Sequence, residues 1–469
     1  MTVTPGFTNM FKGTLPQLSA VLAGTLCALS DGMHYGWSAP VVPILMSPDS
    51  PIPITKHQAE WLENVFVIGA AIGLWPTMYS VDKIGRKKSI LLACFVSVLV
   101  WITIALAPSV EYILVARAFA GAAGNMAFVA TPMYIAEIAD QKIRGFLSSL
   151  IYLMMLCGIL LIYCIAPFFP IYVHCCLGAV LVLIELIWFS FVPDSPYYLV
   201  IKSQTESARN ALRRLRQNES DVEEELKQIK LAVDRQRTER ARFLDLFLIA
   251  SNRKAMFIMT YLNFAQHFSS VSVLLMNMHI ILEQAGSIYM DSHTTAIVFS
   301  VIMLVAALTG SVLIDKFGRK FLIISSGIST AFCLLTIAIY FNFKNDGFNT
   351  TNFSWIPIAC VMVYAFTFKL GLGMVPIVIT AEIFPTTVKA YGMALADGSY
   401  VIASLLSLQV YQRLTDSFGV QYPFYIFTVC CFSSIFFTYF LIPETKGKTL
   451  DEIQMILKGE YNKHKSEKV

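Results

Sequence analysis

Two ten-residue stretches repeat an acid and a base at one offset. "AEIADQKIRG" (136–145) carries Glu137 and Arg144, and "AEIFPTTVKA" (381–390) carries Glu382 and Lys389, seven residues apart in both. A charged octapeptide is also written twice, as "VDKIGRKK" (81–88) and "IDKFGRKF" (314–321), so that Asp82 and Arg86 are answered by Asp315 and Arg319. "PDSP" (193–196) and "PETK" (443–446) add Asp194 and Glu444. Opposite charges at fixed offsets can form clusters that clamp neighbouring helices; ordinary anchoring at a membrane interface is the plainer reading. Lys389 stands where the first copy has Arg144, and an ammonium offers a point charge in place of a planar fork. A looser clamp is expected in the second copy.

Lys369 poses a different problem. It sits in "FTFKLGLGMVP" (366–376), thirteen residues before its nearest acid, Glu382, or roughly 20 Å along a helix. An unpaired ammonium at that depth in a bilayer costs at least about 2.5 kcal/mol on insertion scales, so it must be paired, neutral, wet or bound to substrate. Asp31, sixteen residues into the first apolar run, reaches a similar depth. An Asp31–Lys369 pair is one expectation; a water-solvated lysine and a lysine that holds an anionic substrate are the others. Gly371, Gly373 and Pro376 follow, where they either let a gate helix bend or allow tight packing.

The elements that must position these groups belong in lipid. Of 469 residues, 56% are hydrophobic and 14% charged, which is more apolar surface than soluble domains can hide. Apolar runs long enough to cross a hydrocarbon core fall at about 15–40, 59–80, 89–107, 111–134, 146–167 and 170–192. A second group falls at about 254–282, 294–314, 321–341, 355–380, 391–412 and 421–442. The pattern predicts an all-α membrane protein with about twelve transmembrane helices, since each segment must close its own backbone hydrogen bonds. Lys83, Arg86, Lys87 and Lys88, then Lys142 and Arg144, the stretch 202–242, Lys316, Arg319 and Lys320, and Lys389 occupy alternate loops, against Lys56, Lys344 and Arg413 on the other side. This bias places both termini in the cytosol. The polar opening "MTVTPGFTNMFKGTLPQ" (1–17) does not read as a cleavable signal.

The duplicated motifs fall at corresponding places and so define two parallel six-helix halves, 1–200 and 251–445, an arrangement that puts a substrate site near the midplane between them. A cytosolic amphipathic helical linker is expected over 201–250 and a cytosolic tail over 446–469. In the linker Leu212, Leu215, Val222, Leu226, Ile229 and Val233 recur at helical intervals, and Glu223 is spaced to reach Lys227.

Several function classes drop out. The loops hold no nucleophile, metal or phosphate-loop constellation, so neither an enzyme nor a cofactor is expected. The ten cysteines lie in or beside the apolar runs without metal-type spacing and read as small hydrophobes, with no disulfide framework. The net charge of +4 reflects the loop bias and indicates no nucleic-acid partner. Asn349 and Asn352 fit the glycan acceptor pattern on the outer side; Asn218 fits it on the inner side.

Taken together, "DKIGRKK", "YIAEIADQKIRG", "PDSPYYL", "DKFGRK", "AEIFPTTVKA" and "PETKGKTLDEI" resemble the sugar porter family of the major facilitator superfamily, over residues 20–455. "HYGWSAPVVP" (34–43) and "CGILLIY" (157–163) are similar to insect facilitated trehalose transporters and class III mammalian glucose transporters. The resemblance implies two halves rocking around a central site. The charge clusters, with Asp194 and Glu444, would hold the inner side closed in the outward-facing state.

The resemblance also implies where sugar ligands stand. The family reads Gln-Gln-Leu-Ser-Gly-Ile-Asn where this chain reads "QHFSSVS" (266–272), so Gln266 and Ser269 are kept while His267 and Ser272 replace amides. Ile377 stands for the usual tryptophan of the tenth span, Tyr163 for a frequent glutamine and Met303 for an amide. Polyols need amides, hydroxyls and an aromatic face, so the ligand set departs from the family. Ser38 follows Gly36 and Trp37 where proton-linked members carry aspartate, which implies downhill transport; Asp31, Glu185 and Asp397 also lie within the expected spans and are functional candidates. The expected function is a plasma-membrane facilitative carrier of trehalose or a hexose, acting as a monomer. The alternatives are a non-transporting sugar sensor on a carrier fold and a carrier of an anionic or non-sugar solute.

Overall fold

Helix dominates from Leu15 onward because a backbone segment in lipid must pair its own N–H and C=O groups. The computed structural model describes residues 15–50, 52–140, 143–216, 218–238, 243–286, 288–385, 388–446, 448 and 450–458; the side chains of Arg144, Asp315 and Lys389 lie outside the described residues. The described helices fall into two packing units, one drawn from Met1–Tyr35 and Val65–Arg240, the other from Gly36–Asn64 and Ala241–Val469.

The first unit contains α1 (Leu15–Gly36), most of α3 (Lys56–Lys83), α4 (Arg86–Ala105), α5 (Val110–Ile138), α6 (Arg144–Ile165) and α7 (Ile171–Ser190). The second contains α2 (Ser38–Met46), the first turns of α3, and the helices from α11 (Asp245–Leu248) onward. These are α12 (Ala250–His267), α13 (Val271–Ala285), α14 (Ser292–Phe317), α15 (Arg319–Asn345), α16 (Trp355–Leu370), α17 (Val375–Ile383), α18 (Lys389–Phe418), α19 (Gln421–Leu441) and α20 (Leu450–Lys458). The sequence repeat persists in the packing, since α4 lies against α5 and α7 as α15 lies against α16 and α19.

Among the described residues, ten segments are long and apolar enough to cross a membrane. The other two expected spans are interrupted. The first breaks at Trp37, between α1 and α2; the seventh breaks at Ser270, which takes the left-handed conformation at φ 74° between α12 and α13. A twelve-helix fold results. The tenth span is also interrupted, between Leu370 and Val375, where the glycines and proline were expected to weaken it. A Cβ on Gly371 would lie 2.1 Å from Leu322 O and from Ser326 Oγ, the close packing that was one of the two readings of those glycines. Ser326 Oγ in turn accepts the freed Leu372 N–H at 3.0 Å.

The doubled octapeptide forms the same turn twice. Gly85 (φ 96°) and Gly318 (φ 90°) precede α4 and α15 in a conformation that side chains resist. A Cβ would also meet the Tyr198 ring at 2.6 Å in the first turn and Glu444 Oε2 at 2.8 Å in the second.

Between the halves, α8 (Pro196–Ile201), α9 (Thr205–Leu215) and α10 (Glu219–Thr238) close one apolar cluster through Leu199, Leu212, Val222, Leu226, Ile229 and Val233. One expected pair is corrected. Glu223 meets not Lys227 but Arg209, whose Nε lies 2.6 Å and Nη2 3.4 Å from its two oxygens. Packing α9 on α10 offers a guanidinium fork to the carboxylate, a better match than an ammonium on the same helix.

Candidate functional site

The duplicated motifs converge on two three-residue clusters of one design. In the first unit Arg86 Nε donates to Glu137 Oε1 at 2.9 Å and its Nη1 to Val81 O at 3.3 Å, while the Ser195 hydroxyl donates to the other Glu137 oxygen. In the second, Arg319 Nη2 donates to Glu382 Oε1 at 2.9 Å and Nη1 to Ile314 O at 3.3 Å, while Thr445 Oγ1 donates to Glu382 Oε2 at 2.5 Å. Each carboxylate is thus held on one oxygen by charge and on the other by a hydroxyl. Ser195 and Thr445 were missed in the sequence, although each directly follows the acid of "PDSP" and "PETK".

The remaining expected cluster members differ in place. Asp82 is exposed. Glu444 accepts the backbone N–H groups of Arg319 and Lys320, both at 3.0 Å, and of Lys446 at 2.9 Å, at the N-terminus of α15 where N–H donors lack helical partners. Burial works to raise its carboxyl, but these N–H bonds and the Arg319 charge prevail and hold it below the usual carboxylate range. Asp194 accepts from Ser195 N at 2.8 Å, and there burial prevails and pushes the carboxyl up.

A second polar group gathers where the seventh span breaks. Gln266, His267, Ser270 and Ser272 surround the left-handed turn at Ser270, and all are buried. His267 Nδ1 lies 2.8 Å from Ser272 Oγ, which lies 2.9 Å from Ser404 Oγ on α18. The Tyr400 ring meets His267 edge-on at 4.2 Å. Gln266 Nε2 donates to Gly373 O at the tenth-span interruption, 3.2 Å away. Gln266 Oε1, His267 Nε2 and Ser270 Oγ have no hydrogen-bond partner among the described residues. Leaving such atoms buried is unfavourable by about 1–3 kcal/mol each, so a ligand able both to donate and to accept is favoured here. Ser404, Tyr400 and Ser270 were not expected, because only the folded chain sets α18 beside the break.

The other expected ligands lie on other helices. Lys369, at 0% exposure, closes the last turn of α16, four residues before Gly373. Ile377 is 48% exposed on α17. Ser38 opens α2, which packs along α13, and Met303 is buried in α14. Tyr163 is buried in the first unit.

That unit also holds a charged group no motif announced. Arg117, buried in α5, donates to His34 O at 2.5 Å and is the charge acting on Asp31, whose carboxylate lies where a Cβ on Gly124 would stand. The His34 ring stacks on Trp101 at 3.8 Å, and Trp101 Nε1 donates to Ser30 Oγ at 2.9 Å. Arg117 was detectable on the same ground as Lys369, as the one base in an apolar run. Asp31 and Lys369 lie in different units.

Solved structures share the fold. The xylose transporter XylE from E. coli in an inward open conformation aligns with a TM-score of 0.77 at 21% identity, covering 94% of this chain and 99% of that one. The proton:xylose symporter XylE bound to 6-bromo-6-deoxy-D-glucose gives 0.76 at 22% identity, over 95% and 100% of the two chains. In sequence, the facilitated trehalose transporter Tret1-2 homolog of Drosophila sechellia is 30% identical over 450 residues, 95% of this chain and 92% of the relative. The facilitated trehalose transporter Tret1 of Drosophila mojavensis is 29% identical over 447 residues, 94% of this chain and 51% of the relative. The chain therefore spans about half the length of that relative and of its Drosophila virilis counterpart. The profile of the sugar (and other) transporter family matches residues 20–457. Because that match runs through both repeats and the segment joining them, the chain belongs to the sugar (and other) transporter family.

Proposed function

We propose that the chain is a facilitative carrier of a small neutral sugar, trehalose or a hexose, working by alternating access in the plasma membrane with both termini cytosolic. The observation that carries the reading is the break of the seventh span, where Gln266 Oε1, His267 Nε2 and Ser270 Oγ are buried with no hydrogen-bond partner among the described residues. An amide oxygen, an imidazole nitrogen and a hydroxyl match a ring of sugar hydroxyls, and the Tyr400 ring supplies an apolar edge nearby. Ser38, in place of an acid that could cycle a proton, favours downhill flux. The carrier acts as a monomer, and Asn349 and Asn352, both exposed, are its glycan acceptors on the outer side.

The clusters Arg86–Glu137–Ser195 and Arg319–Glu382–Thr445 serve as clamps on the cytosolic side. Each can release its arginine while the carboxylate keeps its hydroxyl. The test is uptake by the purified chain in liposomes, offered labelled trehalose, glucose, a cation and an anion. Saturable trehalose or glucose flux down its gradient, without an imposed pH difference, is expected. Sugar binding with no flux would leave a sensor. Flux of the anion alone would support the second reading, which the buried Lys369 favours.

A further inference from the structure

The first turns of α3 carry an acid for which the transport reading has no role. Glu63 is 3% exposed, and its Oε2 accepts from Asn277 Nδ2 of α13 at 3.1 Å and from Gln412 Nε2 of α18 at 3.2 Å. The Gln412 oxygen is taken in turn by Asn64 Nδ2 at 3.0 Å and Gln409 Nε2 at 3.2 Å. Seven residues before Glu63, Lys56 pairs with Asp416, which is four residues beyond Gln412. Helix α3 is therefore tied to α18 at two levels and to α13 at one, while α2 packs along α13. These ties help explain why Gly36–Asn64 packs in the second unit although its sequence lies in the first repeat.

The two ties are not equal. Lys56 and Asp416 are 65% and 39% exposed, and exposed pairs contribute little. A buried carboxylate accepting two amide N–H groups makes charge-assisted bonds, and taking its donors away strands a charge. A carrier that opens on the Lys56 side must part the 36–64 segment from α13 and α18, so the Glu63 contacts stand in the way of that step.

We propose that Glu63 is the fastening residue of this closure: through Asn277 and Gln412 it holds the 36–64 segment on α13 and α18, and its release governs how often the carrier opens to the Lys56 side. The proposal rests on the alternating-access reading above. Glu63 is a positioning residue that acts through helices and touches no substrate.

The test uses the full chain with the exposed cysteines Cys164 and Cys176 changed to serine and Val42, buried on α2, changed to cysteine. The readout is the rate at which a membrane-impermeant maleimide labels Val42→Cys from outside. Glu63→Ala should raise that rate about tenfold, and the milder Glu63→Gln about threefold, as expected when charge-assisted bonds are lost. The exchange Glu63→Gln with Gln412→Glu keeps one carboxylate among the same amides and should return the rate to its starting value. A mere packing role would not show that rescue. An unchanged rate in Glu63→Ala, or an exchange that restores nothing, overturns the proposal. Acceleration seen only with reagent on the opposite face keeps the fastening and overturns the orientation; acceleration in a chain that moves no offered solute keeps it and overturns the carrier.

Discussion

Gln266 Nε2 donates to Gly373 O at 3.2 Å, so one amide joins the interruption of the seventh span to that of the tenth. Its Oε1 has no hydrogen-bond partner among the described residues. A sugar hydroxyl arriving there would pull on the side chain that steadies the tenth span, which couples binding to bending. Gln266→Leu is therefore expected to lower kcat/KM for sugar uptake by about tenfold or more. Gln266→Asn, too short to span both ends, should fall between. Initial rates in liposomes check this, and wild-type kinetics in Gln266→Leu would defeat the assignment.

His267, Ser272 and Ser404 form a short relay that holds the imidazole in one orientation. Ser404→Ala should raise KM about threefold to tenfold with a smaller change in kcat, since it loosens a ligand without removing one. His267→Gln restores the amide that the resemblance leads one to expect and should keep transport. Loss of flux in His267→Gln comparable to His267→Ala would show that the ring itself is needed.

The two carboxylate clusters predict matched effects in the two repeats. Glu137→Gln or Glu382→Gln leaves an arginine nearly buried without its counter-charge, and breaking such a pair is destabilising by about 3–5 kcal/mol. Arg86→Met with Glu137→Leu should be milder than either single change, because no charge is stranded. Thermal unfolding in detergent reads the comparison; strictly additive losses would count against the coupling.

Glu444 gives the pH dependence a sign. Its folded carboxyl lies below the ordinary value of 4.5, so it binds its proton less readily folded than unfolded. The stability it contributes is present above that ordinary value and is lost as pH falls through the lower folded one. The gap in unfolding temperature between wild type and Glu444→Gln should therefore be full near neutrality and shrink below about pH 4.5. A gap that holds constant on acidification would contradict this.

Much of the architecture could be read from the chain because apolar length and charge placement are local properties. The span positions and the membership of Arg86, Glu137, Arg319 and Glu382 in charge clusters were legible on that ground, the clusters because duplication marked them; which base meets which acid was not. The breaks at Trp37 and Ser270 were not, since a single left-handed serine leaves no trace in a hydropathy pattern. Glu63 was hidden inside a run read as apolar, and its partners stand 214 and 349 residues away in sequence. Ser195 and Thr445 gave no signal either until their acids' partners were seen. At the candidate site, Gln266, His267 and Ser272 came from the resemblance; Tyr400 and Ser404 came from packing alone.

The assignment of Gly36–Asn64 to the second packing unit bears on how hybrids of members of this family can be assembled. A chimera joined at the 201–250 linker would inherit α2 and the head of α3 from one parent and the α13 and α18 surfaces beneath them from the other. The seam would look clean in the sequence and fall through a buried amide network in the fold. Grafts that carry Glu63, Asn277 and Gln412 as one set should keep that network whole, so the transplantable block on this side of the protein is discontinuous.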